Sequence, residues 1–156
     1  MVKNMNNIYI SDFLSYLEVE ANYSKNTINS YENDLNKFEE YYKNKDLLKI
    51  TSKDIEKYIQ TLSDLAPTTV SHNISSLKTF YSYFLKQVRI SNNPTDGIKS
   101  PKLGIHLPTY LTIDEVNKLL DIEVTDAFSS RNKAILELMY ATGLRISEVI
   151  SLEFKN

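Results

Sequence analysis

The run YATGLRISEV, Tyr140 to Val149, sets an arginine just past a Thr-Gly pair in what otherwise reads as continuous apolar helix. A guanidinium keeps its charge at any physiological pH and presents a planar fork of N–H donors that matches the oxygens of a phosphate or carboxylate. Two uses of Arg145 fit this pattern. One is an ion pair with Glu148 three residues on, worth about 0.2–0.5 kcal/mol on an exposed helix. The other is a clamp on a phosphate. The ion pair alone leaves Gly143 unexplained.

Other residues with chemical potential are few. His72 could donate to a phosphate, and His106 could be catalytic or a ligand, but neither has a partner at metal-binding spacing. Position 75 is serine and position 109 threonine, so no His-x-x-Arg pair exists, and His106 reads as a solvent or linker residue. Of the 11 tyrosines, Tyr16, Tyr31, Tyr42, Tyr58 and Tyr81 fall on or beside apolar stripes, which makes them core and not nucleophiles. There is no cysteine, so disulfides and thiolate metal sites are excluded. No metal and no cofactor is expected. A cytoplasmic setting is the default, and no run approaches the roughly 20 apolar residues of a membrane-spanning helix.

Net charge is -2, which provides no global attraction for nucleic acid. Up to Leu107 there are 13 Lys and Arg against 12 Asp and Glu, and from Pro108 onward 5 against 8. Any case for DNA must therefore rest on local faces.

Three Gly and four Pro punctuate the chain, and between them apolar residues recur at three and four, so the fold class is all-α. A first helix is expected from about Ile8 to Glu20, with Phe13, Leu14 and Leu17 inward. Ser24 caps a second, whose buried stripe is Ile28, Tyr31, Leu35, Phe38 and Tyr42. Thr51 opens a third with Asp54 in a capping box and Ile55, Ile59 and Leu62 inward. Pro67 suits the first turn of a fourth, with Val70, Ile74, Leu77, Tyr81, Phe84, Leu85 and Val88 inward. The stretch SNNPTDGIKSPKLGIHLPTY, with three prolines and two glycines, reads as an extended linker. Helix resumes with Thr112 as cap and Glu115 as its box partner, then from about Asp126 to Tyr140.

At about 100° per residue, the side of the fourth helix opposite its stripe carries Thr69, His72, Ser76, Thr79, Tyr83 and Lys86. The second helix offers Asn26, Asn29, Ser30, Asn33 and Lys37. Short hydrogen-bonding groups with scattered cations fit two descriptions: ordinary solvated faces, or faces that donate to phosphates and read base edges in a major groove.

Four segments in order, SKNTINSYENDL, NNPTDGIKSPKLGIHLPTYLT, RNKAILELMYATGLR and ATGLRISEV, closely resemble the tyrosine recombinases, or phage-integrase family, of the Xer type. TGLR-x-SE after a helix is similar to that family's first catalytic box. The resemblance implies a four-helix, SAM-like core-binding domain over residues 1–97, a linker over 98–109, and the start of a catalytic domain over 110–156. It implies that the two domains clamp opposite sides of double-stranded DNA, and that recombinase protomers, self or related, are partners. A tyrosine attacks the scissile phosphate to form a 3′-phosphotyrosyl bond, without metal or high-energy cofactor.

In that scheme Arg145 is the catalytic arginine, the Thr142-Gly143 turn aims it at a phosphate, and Glu148 buttresses the loop. The family's lysine, His-x-x-Arg pair and nucleophilic tyrosine follow the first box, beyond Asn156, so these 156 residues are expected not to catalyse alone. The resemblance also puts the second and fourth helices in the major groove. Candidate DNA contacts are Lys25, Asn26, Thr27, Ser30, His72, Ser76, Lys78 and Thr79, with Lys99 and Lys102 of the linker crossing the backbone. Lys78 sits nearest the buried stripe. Ile135, Leu138 and Met139 would lack a covering layer, so self-association is expected. Two other readings stand beside this one: a helical protein-interaction module, and a small DNA-binding regulator without recombinase activity.

Overall fold

The computed structural model describes residues 2–102, 104 and 109–153. Among these the chain forms seven α-helices and one short 3-10 turn, with no strand. It divides into two compact units, Met1–Ile105 and His106–Asn156. His106 itself lies outside the described residues, as do several neighbours in the expected linker. No described helix is long and apolar enough to cross a membrane.

The first unit is built from α1 (Val2–Val19), α2 (Lys25–Tyr41), α3 (Ser52–Thr61) and α4 (Pro67–Lys86). Local chemistry sets their starts. Ser24 Oγ accepts the Thr27 N–H at 3.3 Å, and Thr51 and Asp54 form a reciprocal capping box. Pro67 occupies the first turn of α4, where its missing N–H leaves no bond unmade. Helix α1 begins before Ile8, because no residue from Val2 onward breaks a helix.

The core joins Phe13 and Leu17 of α1, Leu35 and Phe38 of α2, Ile55 and Tyr58 of α3, and Ile74, Leu77, Phe80, Tyr81 and Phe84 of α4. Rings meet edge-on, Phe13 on Phe80 at 5.4 Å and Phe38 on Tyr58 at 4.9 Å, which suits their quadrupoles. Between α2 and α3 the turn Leu47–Lys49 is held by a buried amide. Asn6 accepts the Leu47 N–H and donates to the Lys45 carbonyl, each at 3.1 Å. The buried Tyr81 hydroxyl donates to the Leu47 carbonyl at 2.9 Å.

Helix α4 departs from the single stripe that its sequence suggests. Phe80 is fully buried although it lies outside that stripe, and Ser76 and Tyr83, expected on the open side, are buried too. The reason is position: α4 is covered on more than one flank, with Tyr83 packed on Tyr16 at 4.7 Å and on Phe13 at 5.7 Å. Leu85 and Val88, expected inward, are exposed. Helix α4 stops at Lys86, and Val88 turns the chain at φ +56°.

The stretch after Ser91 is not extended throughout. Asn93 and Thr95 are buried, Asn93 Oδ1 accepts the Thr95 N–H at 2.9 Å, and Asn93 Nδ2 donates to Ser82 Oγ at 3.3 Å. Ile90 and Ile98 pack on the core. Folded turns therefore bind the beginning of this stretch to the bundle.

The second unit contains α5 (Ile113–Leu120), α6 (Ala127–Thr142) and α7 (Ile146–Ile150). Thr112 and Glu115 cap α5, and Asp126 Oδ1 accepts the Ser129 N–H at 2.7 Å to open α6. None of its described side chains is buried. Tyr110, Ile113, Phe128, Tyr140 and Ile150 are among its exposed large apolar residues.

Candidate nucleic-acid interface

Helices α2 and α4 pack together, and their outer sides enclose a concavity of about 390 Å³ lined by Asn26, Thr27, Ser30, Tyr31, His72, Ser75 and Ser76. Five of the candidates thus meet in one cleft. Asn26, Ser30 and His72 are exposed and Thr27 is half-buried. Thr79 stands one turn further along α4, where its hydroxyl donates to the Ser75 carbonyl at 3.0 Å and lies 3.4 Å from the Tyr31 hydroxyl of α2.

Ser76 differs from the others. It is 5% exposed, and its hydroxyl donates to Asp34 Oδ2 at 2.7 Å, with the His72 carbonyl at 3.1 Å. A hydroxyl so engaged has no proton for a phosphate. Nearby, burial and then the Asp34 charge push the Tyr58 phenol up to about 12, so it remains a donor, facing Asn73 Oδ1 at 3.5 Å.

Sequence reasoning missed Ser75 and Tyr31 as lining residues. Ser75 follows His72 by three and was within reach of the same periodicity. Tyr31 reads as core from its place on the apolar stripe, whereas it is half-buried, lines the cleft and has its hydroxyl 3.4 Å from Thr79 Oγ1.

The lining groups carry no fixed charge, and Asp34 lies behind them. The cleft therefore offers hydroxyl and amide donors and acceptors, the complement of base edges, more than an electrostatic seat for phosphate. Lys25 is exposed at the first position of α2, and Lys78 is half-buried on α4. Lys99 is not brought to this cleft: it lies on a separate apolar groove with Ile59, Leu65, Pro67, Val70 and Pro101. Lys102 is exposed.

In the second unit, Gly143 ends α6 at φ 70°, ψ 12°, a left-handed conformation that glycine adopts without Cβ strain, and its N–H donates to the Met139 carbonyl at 2.8 Å. Thr142 Oγ1 donates to the Leu138 carbonyl at 2.6 Å. The chain then turns extended at Arg145, which precedes α7. Glu148 Oε2 accepts the Arg145 N–H at 2.7 Å and Glu148 Oε1 accepts from Nη1 at 3.2 Å. Arginine has no acceptor, so only the returning half of a capping box uses side-chain atoms. The Arg145 side chain is 82% exposed, and among the described residues its Nε and Nη2 have no partner. Glu148 fixes the backbone of the turn while leaving most of the guanidinium fork free.

The first unit is thus a four-helix bundle with a polar α2–α4 cleft, and the second carries a helix ended by Thr-Gly with an arginine beyond it. Residues 10–87 match the phage integrase N-terminal SAM-like domain and residues 109–156 match the phage integrase family. The chain belongs to the phage integrase family. It is 41% identical over 149 residues to the tyrosine recombinase XerD of Oceanobacillus iheyensis, covering 92% of this chain and 50% of that protein. It is 31% identical over 159 residues to the tyrosine recombinase XerC of the same organism, covering 98% of this chain and 52% of that one. A crystal structure of XerA recombinase matches with a TM-score of 0.50 at 30% identity, over 96% of this chain and 50% of that chain. The chain spans about half the length of the curated relatives it matches.

Proposed function

We propose that this chain supplies the DNA-gripping bundle and the first phosphate-binding element of a site-specific tyrosine recombinase. The observation that carries the reading is the convergence of Asn26, Thr27, Ser30 and His72 in one α2–α4 cleft, in a member of the phage integrase family. Residues 1–97 act as the core-binding domain, 98–109 as the linker and 110–156 as the start of the catalytic domain.

On double-stranded DNA the cleft residues face base edges in the major groove, while Lys25 and Lys78, with Lys99 and Lys102 of the linker, face phosphates. Arg145 takes the non-bridging oxygens of the scissile phosphate and stabilises the charge that builds up in the pentavalent transition state. In the complete reaction a tyrosine hydroxyl displaces the 5′-oxygen, so a 3′-phosphotyrosyl bond forms and a 5′-hydroxyl leaves. Attack by the exchanged strand's 5′-hydroxyl then restores the phosphodiester. One phosphodiester is exchanged for another, so the steps need no high-energy cofactor. Within these 156 residues Arg145 stabilises charge but no assigned group attacks.

Partners follow from the same reading. They are duplex DNA and further recombinase protomers. In isolation a second copy of this chain covers the exposed apolar side chains of the second unit.

The test is a titration of labelled duplex at two salt concentrations, beside incubation with a duplex nicked near its scissile phosphate. Expected are binding about micromolar or weaker that falls with salt, and no covalent adduct on a denaturing gel. Undetectable binding at low salt by the folded chain refutes the reading. An adduct would instead identify a nucleophile among the tyrosines present.

A further inference from the structure

Ser76 sits on the polar side of α4 by sequence, yet its hydroxyl is engaged inside the protein. It donates to Asp34 Oδ2 at 2.7 Å, and Asp34 is itself buried on α2, so this bond joins the two helices whose outer sides form the cleft, beside the longer, part-buried Tyr31–Thr79 contact at 3.4 Å. A turn earlier on α4, Asn73 faces the Tyr58 hydroxyl of α3 at 3.5 Å and donates to the Thr69 carbonyl at 3.1 Å. The contact behind the cleft is thus partly polar and directional.

That distinction matters mechanically. Close-packed rings such as Phe38 and Tyr81 already resist displacement, and a buried carboxylate adds a directional constraint because it is strongly penalised for losing its donor. The Asp34–Ser76 bond therefore sharpens, within that packing, how far Ser30 on α2 is offset from His72 and Ser75 on α4. Base edges are read by short side chains whose donors and acceptors must keep their spacing. Phosphate contacts made by long lysines tolerate displacement, because the flexible stem reaches a point charge.

We infer that Ser76 is a positioning residue for base readout: through Asp34 it sets the register between the α2 and α4 halves of the cleft, and so controls sequence discrimination without contacting phosphate. The inference rests on the DNA-binding reading above and assigns within it a division of labour between a buried pin and the exposed lysines.

Duplexes enriched from a random pool by the unsubstituted 156-residue chain serve as probe, with a shuffled duplex of the same composition as reference. Ser76→Ala lowers the preference for the enriched duplex about tenfold, the scale of one base-edge contact, and leaves the salt dependence of binding unchanged. Ser76→Thr keeps the hydroxyl and retains most of the preference. Lys25→Ala does the reverse: the preference stays, and the slope of log affinity against log salt falls by about 0.9, the value for one phosphate contact. Thermal melts by circular dichroism set a temperature at which every variant is folded. If Ser76→Ala does not fold, Ser76→Cys, with a weaker donor of similar size, gives the same comparison with a smaller expected loss. Full preference in the Ala or Cys variant overturns the inference while the DNA reading stands. An equal loss of affinity for the enriched and the shuffled duplex in Ser76→Ala also overturns it, since Ser76 would then be a sequence-independent backbone contact. If the unsubstituted chain binds duplex at low salt but enriches none, the inference is overturned and the DNA reading stands; if it binds no duplex at low salt, the DNA reading falls and this inference with it.

Discussion

Asp54→Asn is a sharp test of how the bundle is held. Asp54 Oδ2 gathers three donors, Lys45 Nζ at 2.7 Å, Thr51 N at 2.8 Å and Thr51 Oγ1 at 2.6 Å. These bonds, Lys45's foremost, hold the carboxyl well below the usual carboxylate range. Asparagine keeps an acceptor at this position but removes the charge. Hydrogen bonds to charged groups contribute about 1.5–3 kcal/mol each, against about 0.5–1.5 for neutral ones. The Lys45 side chain is 42% exposed, so solvent weakens its share. The expected loss at neutral pH is about 1–2 kcal/mol.

The pH dependence has a definite sign. The unfolded chain protonates Asp54 near the ordinary value of 3.8 while the folded chain keeps it ionised. As pH falls through that range the unfolded state binds more protons, and stability declines. The Asp54 contribution is therefore complete well above pH 3.8 and shrinks as pH drops toward the folded value. The Asn variant has no such group, so the gap between the two proteins narrows in acid. Urea unfolding followed by near-ultraviolet circular dichroism reports the buried Tyr58 and Tyr81 of the first unit. A variant equal in stability at pH 7, or a deficit of the same size at pH 7 and pH 3, refutes the reasoning.

Val88→Gly is expected to stabilise the first unit by about 0.5–1 kcal/mol, because a β-branched residue at φ +56° is strained and its 88% exposed side chain loses no packing; chemical denaturation showing no gain contradicts this. Asn6→Ala is expected to cost about 1–3 kcal/mol, since the buried Leu47 N–H then has no acceptor, and thermal unfolding measures the loss. In sedimentation the 156-residue chain should self-associate at high concentration while a chain ending at Leu107 stays monomeric. A monomer whose α5–α7 amides are strongly protected from exchange would show that the second unit covers its apolar side chains without a second copy.

Local chemistry made much of the fold legible. Ser24, Thr51 and Thr112 each cap the helix that their position announced, Asp126 stands at the expected start of α6 and caps it, Pro67 opens α4, and Gly143 closes α6. These signals are readable because each depends on atoms within a few residues of chain. The cleft was readable in part: the spacing of Asn26 and Ser30 on α2 and of His72 on α4 placed each on an outward side without any knowledge of how the two helices meet.

Facing between helices was settled only by packing. The periodic reading of α4 assumed one covered side, but a helix bounded on several flanks buries residues all around it, so Phe80, Tyr83 and Ser76 went inward. Ser76 changed most, from a surface hydroxyl to the donor for a buried carboxylate, because Asp34 lies 42 residues away in the chain and meets it only in the folded bundle. Lys99 shows the same limit: its charge was evident in the sequence, and its place on the Ile59–Val70 groove, away from the cleft, was not. By itself the sequence determined where the capped helices begin and which residue types could meet DNA. The tertiary structure decided which of them stand in one cleft and which hold it open, because side-chain direction around a helix acquires meaning only when its neighbours are in place.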